Sequence, residues 1–90
     1  MANGIKSSGL IAASAVVSAT PCKLWGYIMT NTGTLAIFNN ATAGTGTIVG
    51  QTSTVGVPVI LTKPVACSAG LYATLTTTTA IVVYYEPGLN

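Results

Sequence analysis

Between Thr20 and Glu86 the chain is built from short runs of Val, Ile, Thr, Tyr and Phe, broken at close intervals by Gly, Pro and Asn. Such runs suit a pleated, half-buried surface, and the residues between them supply turns. The charged helix formers are scarce, with one Glu, three Lys and no Arg, and the abundant Thr and Gly disfavour a helix interior. The pattern predicts strands over residues 10–17, 23–30, 34–39, 45–51, 57–62, 71–76 and 80–86. Thr20-Pro21 ends the first of them, because proline cannot donate to a ladder. Asn31-Thr32-Gly33 forms the turn after the second, and a Thr-rich hairpin joins the last two. Short strands with turn signals roughly every 8–12 residues indicate an all-β fold. The expected architecture is a single antiparallel β-sandwich of about seven strands, jelly-roll or Ig-like, with its strand order open. Residues 1–90 form one domain, and Asn3-Gly4 and Ser7-Ser8-Gly9 make residues 1–9 an N-terminal arm, flexible or reaching.

Several of these strands are apolar on both faces. A lone sandwich alternates, with one face of each strand in the core and the other in water. The strand over 23–30 instead sets Trp25, Tyr27 and Met29 against Leu24 and Ile28, and the strand over 80–86 sets Ile81, Val83 and Tyr85 against Val82, Tyr84 and Glu86. A lone carboxylate is rarely buried unpaired, so Glu86 turns its own face outward and Ile81, Val83 and Tyr85 inward. Tyr72 shares its face with Thr74 and Thr76, so Leu71, Ala73 and Leu75 face the core, and over 23–30 the larger set, Trp25, Tyr27 and Met29, is the core side. The remaining residues, Leu24, Ile28, Phe38, Tyr72, Val82 and Tyr84, are expected to form a subunit interface, since contiguous apolar surface marks contact sites.

The charge inventory supports a covered surface. Lys6, Lys23, Lys63 and Glu86 are the only ionisable acids and bases of the Lys, Arg, Asp, Glu and His types, 4% of the chain against roughly 25% in ordinary soluble domains. A surface of Thr, Ser, Asn, Gly and apolar groups suits permanent contact with a partner better than free diffusion.

The same inventory excludes much chemistry. Without His the commonest general base and metal ligand are missing, and one acid cannot supply a carboxylate pair. Ala43-Gly44-Thr45-Gly46-Thr47 is Gly-rich but lacks the lysine and helix of a phosphate loop. Cys22 and Cys67 have no imidazole or helix N-terminus to activate them and are too few for structural zinc. A disulfide between them and a pair of buried free thiols are both open. No catalytic, cofactor-binding or metal site is expected, and no cofactor. Three scattered lysines give no nucleic-acid footprint. No apolar run is long enough for a membrane-spanning helix. Lys6, the apolar stretch after it and Val17-Ser18-Ala19 imitate a secretory signal, but Ala and Ser dominate there and the segment is read as a strand.

The segments Thr20-Pro21-Cys22-Lys23-Leu24-Trp25-Gly26-Tyr27, Asn31-Thr32-Gly33 and Phe38-Asn39-Asn40-Ala41-Thr42-Ala43 resemble a recurrent pattern in small virion proteins of tailed bacteriophages. The ending, Ala69-Gly70-Leu71-Tyr72 and then Val82-Val83-Tyr84-Tyr85, is similar too. The resemblance is to capsid decoration, or cement, proteins and short head-fibre components. It implies a β-sandwich on the virion surface, assembled in the host cytoplasm, that clamps adjacent major capsid proteins, as a dimer or trimer with itself. Two other classes remain: a tail- or fibre-associated glycan-binding module stacking sugars on Trp25 and the tyrosines, and an exported surface or pilus-like subunit.

Overall fold

The computed structural model describes residues 4–53, 56, 58–76 and 79–88. Its elements are β1 (Lys6–Ser7), β2 (Ala15–Ser18), β3 (Cys22–Met29), β4 (Leu35–Phe38), β5 (Ile48–Thr52), β6 (Val59–Cys67), β7 (Leu71–Leu75) and β8 (Ile81–Pro87). They make two antiparallel four-stranded sheets, sheet I in the order β1-β8-β3-β6 and sheet II in the order β2-β7-β4-β5. The molecule measures 37 × 24 × 19 Å. It is the expected β-sandwich, with an eighth strand supplied by the arm.

Alternation along each strand builds the core. Sheet I turns Leu24, Tyr27, Met29, Ile81 and Val83 inward, and sheet II meets them with Leu35, Ile37, Leu71 and Ala73, all buried. Tyr27 crosses the interior to the edge strand β5. A Cβ added at Gly50 would lie 2.6 Å from Tyr27 Cε1, so only glycine lets the ring lie flat there. The Tyr27 hydroxyl accepts a hydrogen bond from Gln51 N at 3.1 Å and lies 3.5 Å from Gln51 O.

At one end of the sandwich a threonine cluster joins the two sheets. Thr76 Oγ1 and Thr79 Oγ1 lie 2.8 Å apart, Thr34 N donates to Thr76 Oγ1 at 3.0 Å, and Thr79 Oγ1 donates to Thr32 O at 2.9 Å. These bonds satisfy the hydroxyl of Thr79, which is buried. Gly33, at φ 142°, turns beneath the cluster, where a side chain would collide with both threonine hydroxyls. Thr77 and Thr78 of the expected hairpin lie outside the described residues.

Three boundaries differ from expectation. The run over 10–17 is not one strand: Ile11 bridges Ile81 of sheet I, whereas Ala15–Ser18 pairs with β7 in sheet II. The small residues Ala12, Ala13 and Ser14 carry the chain across. The strand expected over 57–62 begins at Val59 and runs on through Pro64 to Cys67, with Val57 outside the described residues. Proline is tolerated because β6 is an edge strand. The arm is tied down: Lys6 and Ser7 pair with Tyr85 and Tyr84, Ser8 N donates to Val83 O at 2.8 Å, and Val83 N donates to Ser8 Oγ at 2.9 Å. Met1 to Asn3 lie outside the described residues.

Because Gly50 and Tyr27 form one contact, Gly50→Ala is expected to cost about 1–3 kcal/mol through overpacking. Tyr27→Phe, which removes only the hydroxyl, should cost about 1 kcal/mol. Urea unfolding followed by far-UV circular dichroism measures both.

Candidate functional site

The outer surface of sheet I is shaped by an irregularity in β3. Along β3, Leu24 pairs with Tyr85 and Gly26 with Tyr84, so Trp25 is an extra residue with no partner position on β8. Such a bulge sends two successive side chains to the same side and reverses the alternation beyond it. Cys22 and Leu24 therefore face inward, Trp25 and Gly26 outward, and Tyr27 inward again.

Two expected placements are corrected by this bulge. Leu24, expected at an interface, is fully buried in the core at 0% exposure. Trp25, expected in the core, stands half-buried on the outer face. The other five expected interface residues are half-buried but do not form one patch. Ile28, Val82 and Tyr84 lie on sheet I, whereas Phe38 and Tyr72 lie on sheet II, on the opposite side of the sandwich. Ile81, Val83, Leu71, Ala73, Tyr27 and Met29 are buried as expected.

On sheet I the bulge and its neighbours enclose an apolar groove of about 450 Å³, lined by Ile5, Trp25, Ile28, Pro58, Ile60 and Tyr84. Gly26 lies at the middle of this face, paired with Tyr84 on one side and Ile60 on the other. The Ile60 side chain leans across it, 3.1 Å from where a Cβ would stand, and Val59 O is 2.6 Å from the same point. Only glycine admits this approach. Ile60 and Ile5 nevertheless remain 66% and 57% exposed. Sequence reasoning missed Ile5, Pro58 and Ile60; the apolar Ile60 within a run otherwise assigned to an ordinary strand gave no separate signal.

Beside the groove, Glu86 is only 6% exposed although it lies on the outer face. Trp25 Nε1 donates to Glu86 Oε1 at 3.1 Å, and Lys23 stands opposite Glu86 in the ladder. The indole thus covers the carboxylate, hydrogen-bonds it, and shows an apolar surface to the groove. The chain's single acid contributes almost nothing to the wetting of this face.

On sheet II a row of apolar residues crosses all four strands: Val16 pairs with Tyr72, Tyr72 with Phe38, and Phe38 with Ile48. The loop 40–46 roofs part of it, with Gly44 packed onto Tyr72 and Thr74. Asn40 holds that loop, its Oδ1 accepting from Thr42 N and Ala43 N at 2.8 and 2.9 Å and its Nδ2 donating to Thr45 O at 3.1 Å. Thr74 Oγ1 is buried beneath without a hydrogen-bond partner among the described residues. The groove of sheet I has no such roof among the described residues.

Cys22 and Cys67 are directly opposed across β3 and β6, both fully buried and both free thiols. The Cys67 thiol reaches Val65 O at 3.5 Å. Hydrogen bonding from Cys67 brings the Cys22 thiol down to about 7, against the burial that raises it and with help from Ser18. The Cys67 thiol is pushed far up by its hydrogen bond with Cys22, by burial, and by the charge Cys22 carries when ionised. Among the described residues no group of three His, Cys, Asp or Glu side chains stands together to hold a metal ion.

The fold and this face define a small antiparallel β-sandwich with an open apolar groove on one sheet. No protein family, curated protein or solved structure matches the chain.

Trp25→Phe keeps an apolar cover but removes the only indole in the chain, leaving a buried carboxylate one donor short. It is expected to destabilise the fold by about 1–3 kcal/mol in urea unfolding, and Glu86→Gln in the same background should recover part of the loss.

Proposed function

We propose that this chain is a structural subunit that docks on neighbouring proteins through the outer face of sheet I, and that it acts as a capsid decoration protein bridging major capsid subunits of a tailed-bacteriophage head. The observation that carries the docking face is the groove itself: six apolar or aromatic residues stand together, two of them isoleucines more than half exposed. Contiguous apolar surface of this kind is retained where a partner covers it. Aromatic anchors such as Trp25 and Tyr84 are the residues that dominate contact energies. The capsid setting rests on the resemblance of the turn and strand segments. The reading gives the protein a mechanical role without catalysis.

The sheet edges favour face-to-face docking over strand addition. Edge strand β6 carries Lys63 and Pro64 and is irregular against β3, features that discourage another strand from pairing. On edge strand β5 the Tyr27 hydroxyl occupies main-chain groups of Gln51. A glycan-binding role is the weaker reading. Apart from the Tyr84 hydroxyl, the lining side chains offer only the indole N–H, which Glu86 already engages.

Size-exclusion chromatography with light scattering tests the docking face. The wild-type chain is expected to self-associate at micromolar concentration, while Ile60→Lys and Tyr84→Lys remain monomeric with unchanged strand content. Ile48→Lys, on the opposite sheet, should associate like the wild type. A stable wild-type monomer, or unaltered association of both groove variants, contradicts the self-associating face. Labelling the chain on purified particles tests the capsid assignment, which predicts the label on the head and fails if it lies on the tail.

A further inference from the structure

We propose that Cys22 and Cys67 are a redox-modification site, a dithiol that closes to an intramolecular disulfide and fastens edge strand β6 to β3. In an antiparallel pair, directly opposed residues have Cα atoms about 4.5–5.5 Å apart and side chains on the same face. A disulfide spans Cα separations of about 4.4–6.8 Å. Cys22 and Cys67 are such an opposed pair, and both point into the same core cluster. Two side chains that already meet need no large backbone movement to be joined. The lowered Cys22 thiol, hydrogen-bonded by Cys67, supplies the nucleophile.

The co-reactant is a low-molecular-weight disulfide such as oxidised glutathione. The Cys22 thiolate attacks one of its sulfurs and releases one thiolate. The Cys67 sulfur, giving up its proton, then attacks Cys22 Sγ and releases the second. Two electrons and two protons leave the protein, and one disulfide becomes two thiols. Both cysteines are fully buried, so reaction from the folded state follows local opening of β6, which among the described residues pairs in the sheet with β3 alone and whose end leads into exposed Ser68 and Ala69. The bond encloses the chain from β3 to β6. It also secures the strand that carries Ile60, one wall of the groove. This inference is independent of which partner occupies that groove.

Refolding the reduced chain in oxidised glutathione, blocking remaining thiols with N-ethylmaleimide under denaturing conditions and weighing the product tests the site. The expected product is lighter than the reduced chain by two hydrogens, carries no maleimide, and melts at least about 10 °C higher. Dithiothreitol should reverse both changes, and Cys22→Ser should show neither. Recovery of a dithiol or a stable glutathione adduct overturns the proposal. So does a disulfide form that melts no higher than the reduced protein.

Discussion

The extra residue in β3 governs what each side of the sandwich presents. β3 lies between β8 and β6: against β8 the extra residue is Trp25, whereas against β6 the surplus lies on β6, where residues 61–64 stand between the positions paired with Leu24 and Gly26. Before the bulge Cys22 and Leu24 point inward; after it Tyr27 and Met29 do, and the core keeps large apolar groups at both ends of the strand. Between them Trp25 and Gly26 both turn outward. The tryptophan shields the sole acid, while the glycine leaves space for Ile60 to lean across. Without the bulge the same sequence would place either Leu24 or Tyr27 and Met29 on the outside. Either exchange would expose core side chains, each worth roughly 1.5–3 kcal/mol of burial.

A chain this small has little core, and much of its specificity comes from polar groups used at its margins. Tyr27 fills the interior with its ring and bonds the edge strand with its hydroxyl. The Thr76–Thr79 pair fastens the turn before β4 to the connection between β7 and β8. Asn40 folds a loop over sheet II. These contacts use hydroxyls and amides where larger domains use ion pairs, which matches a surface almost without charge. The consequence is asymmetry: among the described residues one sheet is partly roofed by its own chain, and the other leaves an apolar groove open.

Much of the fold is legible in the residues. β-Branched and aromatic runs mark the strands, and Asn31-Thr32-Gly33 marks a real turn. Glu86 correctly assigns the outer face of β8, so Ile81 and Val83 fall inside, even though its carboxylate is itself covered. The inversion of Leu24 and Trp25 comes from assuming strict alternation. Gly26, in the middle of a strand directly after a tryptophan, is the local mark of a bulge. The split of Phe38 and Tyr72 from Ile28, Val82 and Tyr84 has no local mark, because membership of a sheet is decided by pairing between segments far apart in sequence. The groove is hidden for the same reason: Ile5, Trp25, Ile60 and Tyr84 come from four different strands or their flanks.

Deleting Trp25 tests the central claim most directly. If Trp25 is the extra residue, its removal leaves Leu24 inward, Gly26 outward and Tyr27 inward in unbroken alternation. The shortened chain should keep its strand signal and a cooperative urea transition while losing the tryptophan side of the groove. If β3 instead alternates without interruption, the deletion turns Tyr27 and Met29 out of the core, and the cooperative transition disappears.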